Sequence, residues 1–145
     1  MTKFASGEYV PKNIEKYIGA RKITYRSSWE LMFMRFCDNH PFVLKWASES
    51  IRIPYKNPLT GKQTIYVPDF LIVYLDKDGI THCELIEIKP SSQTTMESAK
   101  SRNDKLMVAL NLAKWKAASQ FCQMQGMVFR VVNEQQLFAY TGTKR

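Results

Sequence analysis

The sequence predicts a mixed α/β domain whose elements follow the order α-β-β-β-α-β. Three observations predict it: an amphipathic, capped stretch after residue 26, three runs rich in β-branched and aromatic residues separated by turn sequences, and a long helical pattern before a final short strand. The 145 residues suit one compact domain, which we expect over residues 27–145. Residues 1–26 have no regular period, and we expect a basic N-terminal arm that lies on this domain.

The first helix is expected to begin at Ser27 or Ser28, since either side chain can cap a helix N-terminus. It ends near Asp38, because the residue before Pro41 avoids the helical region. Ser27 and Glu30 also have the spacing of a capping box, in which the glutamate accepts from a free backbone N–H.

Three strands are expected to follow as a meander. Residues 50–55 alternate between apolar and polar side chains, and residues 57–61 form a turn into the next strand. Residues 64–75 are apolar on both faces, as expected of a central strand covered on both sides. A second turn at 76–79 leads into the third strand at 80–89.

The second helix is expected to begin at Glu97 or Arg102 and to end before Gly126, whose position suits a C-terminal cap. A strand over 127–132 and a helical turn over 134–138 complete the order. The buried face of this helix is predicted from apolar residues at steps of three and four: Leu106, Leu110, Ala113, Ala117, Phe121 and Met124.

Composition excludes several classes of protein. The longest apolar run, residues 70–75, is far shorter than the roughly 20 residues that cross a membrane. The N-terminus lacks the apolar core of a secretory signal. Three cysteines without a Cys-x-x-Cys pair argue against a disulfide framework or a thiolate zinc site, so we expect a reducing intracellular setting.

The net charge of +8 is concentrated in two basic flanks. Residues 1–26 and 89–116 each carry six Lys or Arg against two acids, whereas residues 27–88 carry six against eight. Basic flanks suit a polyanion such as nucleic acid, and an acidic centre suits a bound cation.

The acidic centre contains a candidate catalytic site. Side chains two positions apart on a strand share a face, so Glu87 and Lys89 point together while Ile88 points away. The turn at 76–79 brings Asp69 beside Glu87. Two carboxylates and an ammonium in strands otherwise suited to burial are costly unless they are paired or bind a cation.

This set of residues suits metal-assisted hydrolysis of a phosphodiester. Asp69 and Glu87 offer hard oxygen ligands for Mg²⁺ or Mn²⁺. Lys89 orients the attacking water or stabilises developing charge, and we favour this over a general-base role. The structural alternative is a cross-strand ion pair between Glu87 and Lys89, with Asp69 as a turn residue. Glu30, on the apolar face of the first helix, is a fourth candidate whose capping role is equally possible on the residues alone.

At these residues the chain resembles the PD-(D/E)xK nuclease superfamily and, within it, the head completion nucleases of T4-like tailed phages. The resemblance extends over most of residues 8–130. It is carried by five stretches, namely residues 25–30 (YRSSWE), 44–49 (LKWASE), 53–55 (IPY), 66–70 (YVPDF) and 86–90 (IEIKP).

The resemblance implies a restriction-endonuclease-like αβββαβ core with a central mixed sheet flanked by helices. It implies that Asp69, Glu87 and Glu30 bind metal and that Lys89 is the catalytic lysine. The implied role is a Mg²⁺-dependent DNA endonuclease that cuts or trims packaged DNA during head completion and head–tail joining. Double-stranded DNA and a head, portal or neck protein are the implied partners, in the host cytoplasm during assembly or in the virion.

Further residues are candidates for DNA contact. Asn111 and Lys114 lie three positions apart on the second helix, where a solvated face is the simpler explanation. Lys22 and Arg26 belong to the basic arm, which suits either DNA phosphates or another virion protein. For Glu49, at the end of a tryptophan-containing segment, we expect a structural role.

Two other functions are considered. A Tn7-type transposase cleavage subunit resembles the same Glu30, Asp69 and Lys89 pattern, but we expect it to need a partner domain for which 145 residues leave no room. The other possible function is that of a non-catalytic neck or portal-associated protein that keeps the nuclease fold. The intact set of three acids and a lysine argues against such a decayed site, because decay usually removes one member.

Overall fold

The structure is a computed structural model that describes residues 6–20 and 22–141. Lys3 and Arg21 of the expected N-terminal arm lie outside the described residues, as do the last four residues of the expected domain. In chain order the elements are β1 (Gly7–Tyr9), a 3-10 turn (Ile14–Lys16), β2 (Ile23–Tyr25), α1 (Ser28–Asn39), β3 (Val43–Ser48), β4 (Ile53–Lys56), β5 (Gln63–Tyr66), β6 (Phe70–Leu75), β7 (Thr81–Ile88), a second 3-10 turn (Ser91–Gln93), α2 (Arg102–Gln125), β8 (Val128–Val132) and α3 (Glu134–Thr141).

The central sheet confirms the predicted fold class. Over the described residues its strand order is β3-β6-β7-β8, with β3, β6 and β7 antiparallel and β8 parallel to β7. The parallel connection is made by α2, which crosses the sheet between β7 and β8. Helix α1 precedes β3, so the order α1-β3-β6-β7-α2-β8 is the α-β-β-β-α-β core that the sequence predicts.

The first strand of this core was predicted in the wrong place. Strand β3 was not predicted, and the expected strand at 50–55 is β4, which forms a separate hairpin with β5. The register of β3 shifts between Val43 and Lys45, and this bulge breaks the alternation by which a strand is recognised. Leu44 and Lys45 both lie exposed while Trp46 and Ala47 are both buried, so burial along β3 does not alternate either.

The expected single strand at 64–75 is two strands. Strand β5 ends at Tyr66, pairs with β4, and is followed by Val67 and Pro68 before β6 begins at Phe70. Because proline has no backbone N–H to donate, Pro68 cannot continue a paired ladder. The chain therefore leaves the hairpin and enters the central sheet at Asp69, which stands at the junction.

The two faces of β7 are covered by different helices, as its alternation predicts. Ile86 and Ile88 pack in the cluster that contains residues of α1, including Phe33 and Met34. Leu85 packs in a second cluster with Trp115 and other residues of α2. Since Glu87 shares the face of Leu85, it points toward α2.

The predicted buried face of α2 was wrong by a fraction of a turn. Leu106 and Met124 are exposed, and Leu110, Ala113, Ala117 and Phe121 lie partly buried at the margin of the core. The face that is buried follows steps of three and four through Val108, Asn111, Trp115, Ala118 and Cys122. It includes a polar amide, so a count of apolar residues alone favours the neighbouring face.

The helix ends follow the predicted caps. Ser27 Oγ accepts the N–H of Glu30 at 3.1 Å at the start of α1. Gly126, with φ +72°, ends α2 in the left-handed conformation that glycine adopts without strain. None of the helices formed by residues 6–20 and 22–141 combines the length and apolar character that crossing a bilayer requires.

The segment before α1 is fastened to the domain by Asp38. This carboxylate is fully buried and accepts hydrogen bonds from the Tyr9 hydroxyl (2.6 Å), the Lys12 N–H (2.7 Å) and the Asn13 N–H (2.9 Å). Burial alone would raise the pKa of Asp38, but these hydrogen bonds outweigh it and hold the pKa below its ordinary value.

Replacement of Asp38 by Asn is expected to lower the free energy of unfolding at pH 7 by about 2–4 kcal/mol, because buried donors lose a charged acceptor. A depressed folded pKa gives stability that is present above the unfolded pKa of about 3.9 and is lost as pH falls below it. The gap between wild type and D38N should therefore narrow from pH 7 to pH 3 in urea denaturation. A gap that stays constant over this range would contradict the role assigned to Asp38.

Candidate active site

Asp69 and Glu87 lie opposite each other across two antiparallel strands. Phe70 pairs with Ile86, and one further step of this register places Asp69 opposite Glu87. The Asp69 N–H donates to Glu87 Oε1 at 3.2 Å, and the Ile88 N–H donates to Asp69 Oδ2 at 2.8 Å. Each carboxylate is thus oriented by a backbone group of the other's strand, and the predicted juxtaposition is present.

The two carboxylates repel each other in a site that is largely closed to solvent. Burial, followed by the charge of Glu87, raises the pKa of Asp69 well above its ordinary value. Burial also raises the pKa of Glu87, and the nearby Lys89 offsets part of that effect. Two like charges in contact, one of them buried, are a feature that a bound cation stabilises.

Two lysines from different elements approach this pair. Lys89 Nζ lies 3.7 Å from Glu87 Oε2, and its backbone N–H donates to Val132 O at 3.0 Å, which fixes the end of β7 against β8. Lys114 reaches the same place from α2. Burial and then the charge of Lys89 lower the pKa of Lys114, whereas Glu87 and Asp69 act in the opposite direction.

Glu30 lies at the edge of the site and also completes the cap of α1. Its Oε1 accepts the Arg26 N–H at 3.0 Å, one residue before the usual capping-box donor. Burial raises the pKa of Glu30, and Lys89 is among the charges that act on it. The charge of Glu30 in turn raises the pKa of Asp69, so the carboxylate lies within electrostatic reach of the pair.

The carboxylates of Asp69, Glu87 and Glu30 are not gathered around one point. Among the residues that the structure describes, no three His, Cys, Asp or Glu side chains are grouped so that they could hold a metal ion together. The site consists of the opposed pair Asp69 and Glu87, with Glu30 directed to a backbone N–H beside it.

Glu49 lies closer to the site than the sequence predicts. Ser48 pairs with Phe70, and the Glu49 N–H donates to Asp69 O at 2.9 Å, so Glu49 stands beside Asp69 on the side away from Glu87. Its φ of +49° is the left-handed conformation, which is unusual for a residue with a side chain. Its carboxylate forms an ion pair with the Arg26 guanidinium. The position of β3 would have revealed this, but that strand was not predicted.

Comparisons with known proteins identify the family of the chain. Residues 40–134 match the family described as TnsA-like endonuclease N terminal. The chain belongs to this nuclease family. It is also similar to the head completion nuclease of Enterobacteria phage T4, with 38% identity over 145 aligned positions that cover 92% of this chain and 94% of that protein. The predicted resemblance is therefore confirmed. The family match includes Asp69, Glu87 and Lys89 and begins after Glu30.

The four candidates for DNA contact have different surroundings. Asn111 is fully buried and donates through Nδ2 to Gln93 O at 3.1 Å, so it supports the turn after β7 and offers no surface to a duplex. Lys22 is exposed before β2, and none of the described contacts joins it to the carboxylates. Arg26 is exposed and paired with Glu49, and Lys114 lies beside the carboxylates.

Replacement of Asp69 by Asn is expected to stabilise the metal-free protein at pH 7 by on the order of 1 kcal/mol, because it removes a partly buried charge opposite Glu87. Asn keeps an oxygen that can accept the Ile88 N–H. A carboxyl whose folded pKa is raised weakens the fold as pH rises above its unfolded pKa of about 3.9. The higher free energy of unfolding of D69N, relative to wild type, should thus disappear near pH 4 in urea denaturation with EDTA.

The matched control is Asp78→Asn, in the exposed turn between β6 and β7. This control should leave the free energy of unfolding unchanged at both pH values. A D69N protein that is less stable than D78N at pH 7 would show that neighbouring groups compensate the Asp69 charge, and would contradict the repulsion assigned to Asp69 and Glu87.

Proposed function

We propose that this protein is a metal-dependent nuclease that hydrolyses phosphodiester bonds of double-stranded DNA. The observation that supports this best is the opposed pair of a partly buried Asp69 and a buried Glu87, bordered by Lys89 and Lys114. Such a pair is unfavourable for a stable fold without a cation, yet it suits a reaction in which charge on a phosphate must be neutralised.

The donor set fits Mg²⁺ or Mn²⁺. Asp69 and Glu87 supply carboxylate oxygens, which hard divalent cations prefer. Glu30 is the third proposed ligand, at the margin of the site. A bound ion of this kind lowers the pKa of a coordinated water and neutralises charge on the phosphate.

The chain's own residues orient and neutralise the reacting groups. The Asp69 N–H holds the Glu87 carboxylate in place. Lys89, anchored through its backbone between β7 and β8, is proposed to orient the attacking water and to stabilise developing charge, rather than to act as a base. Lys114 adds a second positive charge from α2, and Arg26 is proposed to contact a DNA phosphate at the exposed rim.

The biological setting is proposed from the relative. The similar protein of phage T4 is named a head completion nuclease. We propose that this chain likewise acts in phage head completion, as an endonuclease that cuts or trims packaged DNA before tail joining. The net charge of +8 supports binding to the DNA backbone. A head, portal or neck protein is the proposed partner, in the host cell during assembly.

The proposal is tested by cleavage of supercoiled plasmid with Mg²⁺ or Mn²⁺. Wild type should nick the plasmid, and EDTA should stop the reaction. Asp69→Asn, Glu87→Gln and Lys89→Gln should each lower the cleavage rate by at least about 100-fold, because each removes a group that holds the cation or stabilises charge. Asp78→Asn and Glu97→Gln make the same chemical changes at exposed positions and should cut at the wild-type rate.

Two results would contradict the proposal. Wild type that leaves plasmid and linear duplex intact with either cation would favour a non-catalytic protein with a nuclease fold. Cleavage that survives both D69N and E87Q would place the reaction elsewhere in the chain. Circular dichroism of each variant confirms that a loss of cleavage is not a loss of folding.

A further inference from the structure

Two buried side chains on the α2 side of the sheet each have a polar atom without a hydrogen-bond partner among the described residues. Tyr66 is 4% exposed and Trp115 is 9% exposed, yet in the part of the chain that the structure describes neither the Tyr66 hydroxyl nor the Trp115 indole N–H is hydrogen-bonded. An unsatisfied buried polar group costs about 1–3 kcal/mol. Phenylalanine would fill the same space as Tyr66 without that cost, so the hydroxyl needs an explanation.

The ring of Tyr66 is held by contacts from three elements. Tyr66 ends β5 three residues before Asp69, and its ring contacts Tyr55 and Phe129, each with ring centres 6.5 Å apart. Lys114 Nζ lies 5.6 Å from the centre of the same ring. These contacts hold the ring between the hairpin, β8 and α2.

The hydroxyl lies in one buried cluster with Trp115 and with Leu85, which shares a face of β7 with Glu87. Burial and then the charge of Glu87 raise the pKa of Tyr66, while the Trp115 indole N–H acts in the opposite direction. An indole that donates to the hydroxyl oxygen and a hydroxyl that donates to the carboxylate would satisfy both unpartnered groups. The three groups are not at hydrogen-bonding geometry in this structure.

We propose that Tyr66 is a positioning residue for the metal site, whose hydroxyl donates to the Glu87 carboxylate when that carboxylate binds the cation, with Trp115 donating to the Tyr66 oxygen. This inference rests on the proposed function, since it needs a cation at Asp69 and Glu87. Glu87 then receives the Asp69 N–H on one oxygen and the Tyr66 hydroxyl beside it. Such groups behind a ligand orient it, and their loss typically weakens metal binding 10–100-fold.

A purely structural tyrosine predicts a different outcome. If the hydroxyl only fills space, Tyr66→Phe removes an unsatisfied polar group and leaves cation affinity unchanged. Metal affinity therefore distinguishes the two roles, and stability of the metal-free protein does not. Tyr55 offers a matched control, because it is buried in the same hairpin and its ring contacts that of Tyr66.

The test is a titration of the 145-residue chain with Mn²⁺. Binding is measured by isothermal titration calorimetry and by the electron paramagnetic resonance signal of free Mn²⁺. Tyr66→Phe should weaken Mn²⁺ binding about 10-fold, while its thermal midpoint in EDTA stays at or above that of wild type. Tyr55→Phe should bind Mn²⁺ as wild type does. Excess Mn²⁺ should restore the rate of plasmid cleavage by Y66F, because the variant retains every proposed ligand.

The outcomes separate this inference from the proposed function. Y66F that binds Mn²⁺ with wild-type affinity overturns the role of Tyr66 and leaves the proposed function intact. Equal weakening by Y55F also overturns it, since the effect then comes from packing of the hairpin. If wild type binds no Mn²⁺, or if Asp69→Asn leaves its Mn²⁺ binding unchanged, both the proposed cation site and this inference are overturned.

Discussion

Asp69 and Glu87 are held face to face by the pairing of β6 with β7, and the surrounding structure depends on this unfavourable contact between two acids. The register that buries Phe70 and Ile86 on the α1 side necessarily places the two carboxylates opposite each other on the α2 side. Helix α2 covers that face and brings Lys114, and Lys89 follows directly after the end of β7, two residues beyond Glu87. Packing and charge are therefore coupled, because a shift of one residue in the register of β6 and β7 would destroy both the core and the site.

The break at Pro68 allows one chain to form both a hairpin and a site. Strand β5 ends at Tyr66 in contact with α2, and the chain then crosses into the central sheet as Asp69. The same break sets Tyr66 behind Glu87 and Asp69 beside it. The contact between the like charges of Asp69 and Glu87 and the unsatisfied donors of Tyr66 and Trp115 lower stability at this point. The two aromatic-rich clusters supply stability elsewhere.

The sequence predicts those parts of the molecule that depend on local periodicity. Alternation along β7 is enough to place Glu87 and Lys89 on one face, and turn residues are enough to bring Asp69 across. The position of Glu49 was missed because a bulge hides β3, and the buried face of α2 was misplaced because it includes Asn111. The surroundings of Tyr66 depend on how a hairpin packs against a helix far along the chain, which no local pattern encodes.

The proposed function depends on a divalent cation bound between the opposed carboxylates. Anomalous scattering from crystals of the chain soaked in Mn²⁺ tests for this cation. We expect a strong peak between the carboxylates of Asp69 and Glu87, at about 2.0–2.4 Å from an oxygen of each, and no such peak in crystals of D69N. Wild-type crystals soaked in Mn²⁺ that show no peak there, with Lys89 placed between the two carboxylates instead, would rule out this cation site.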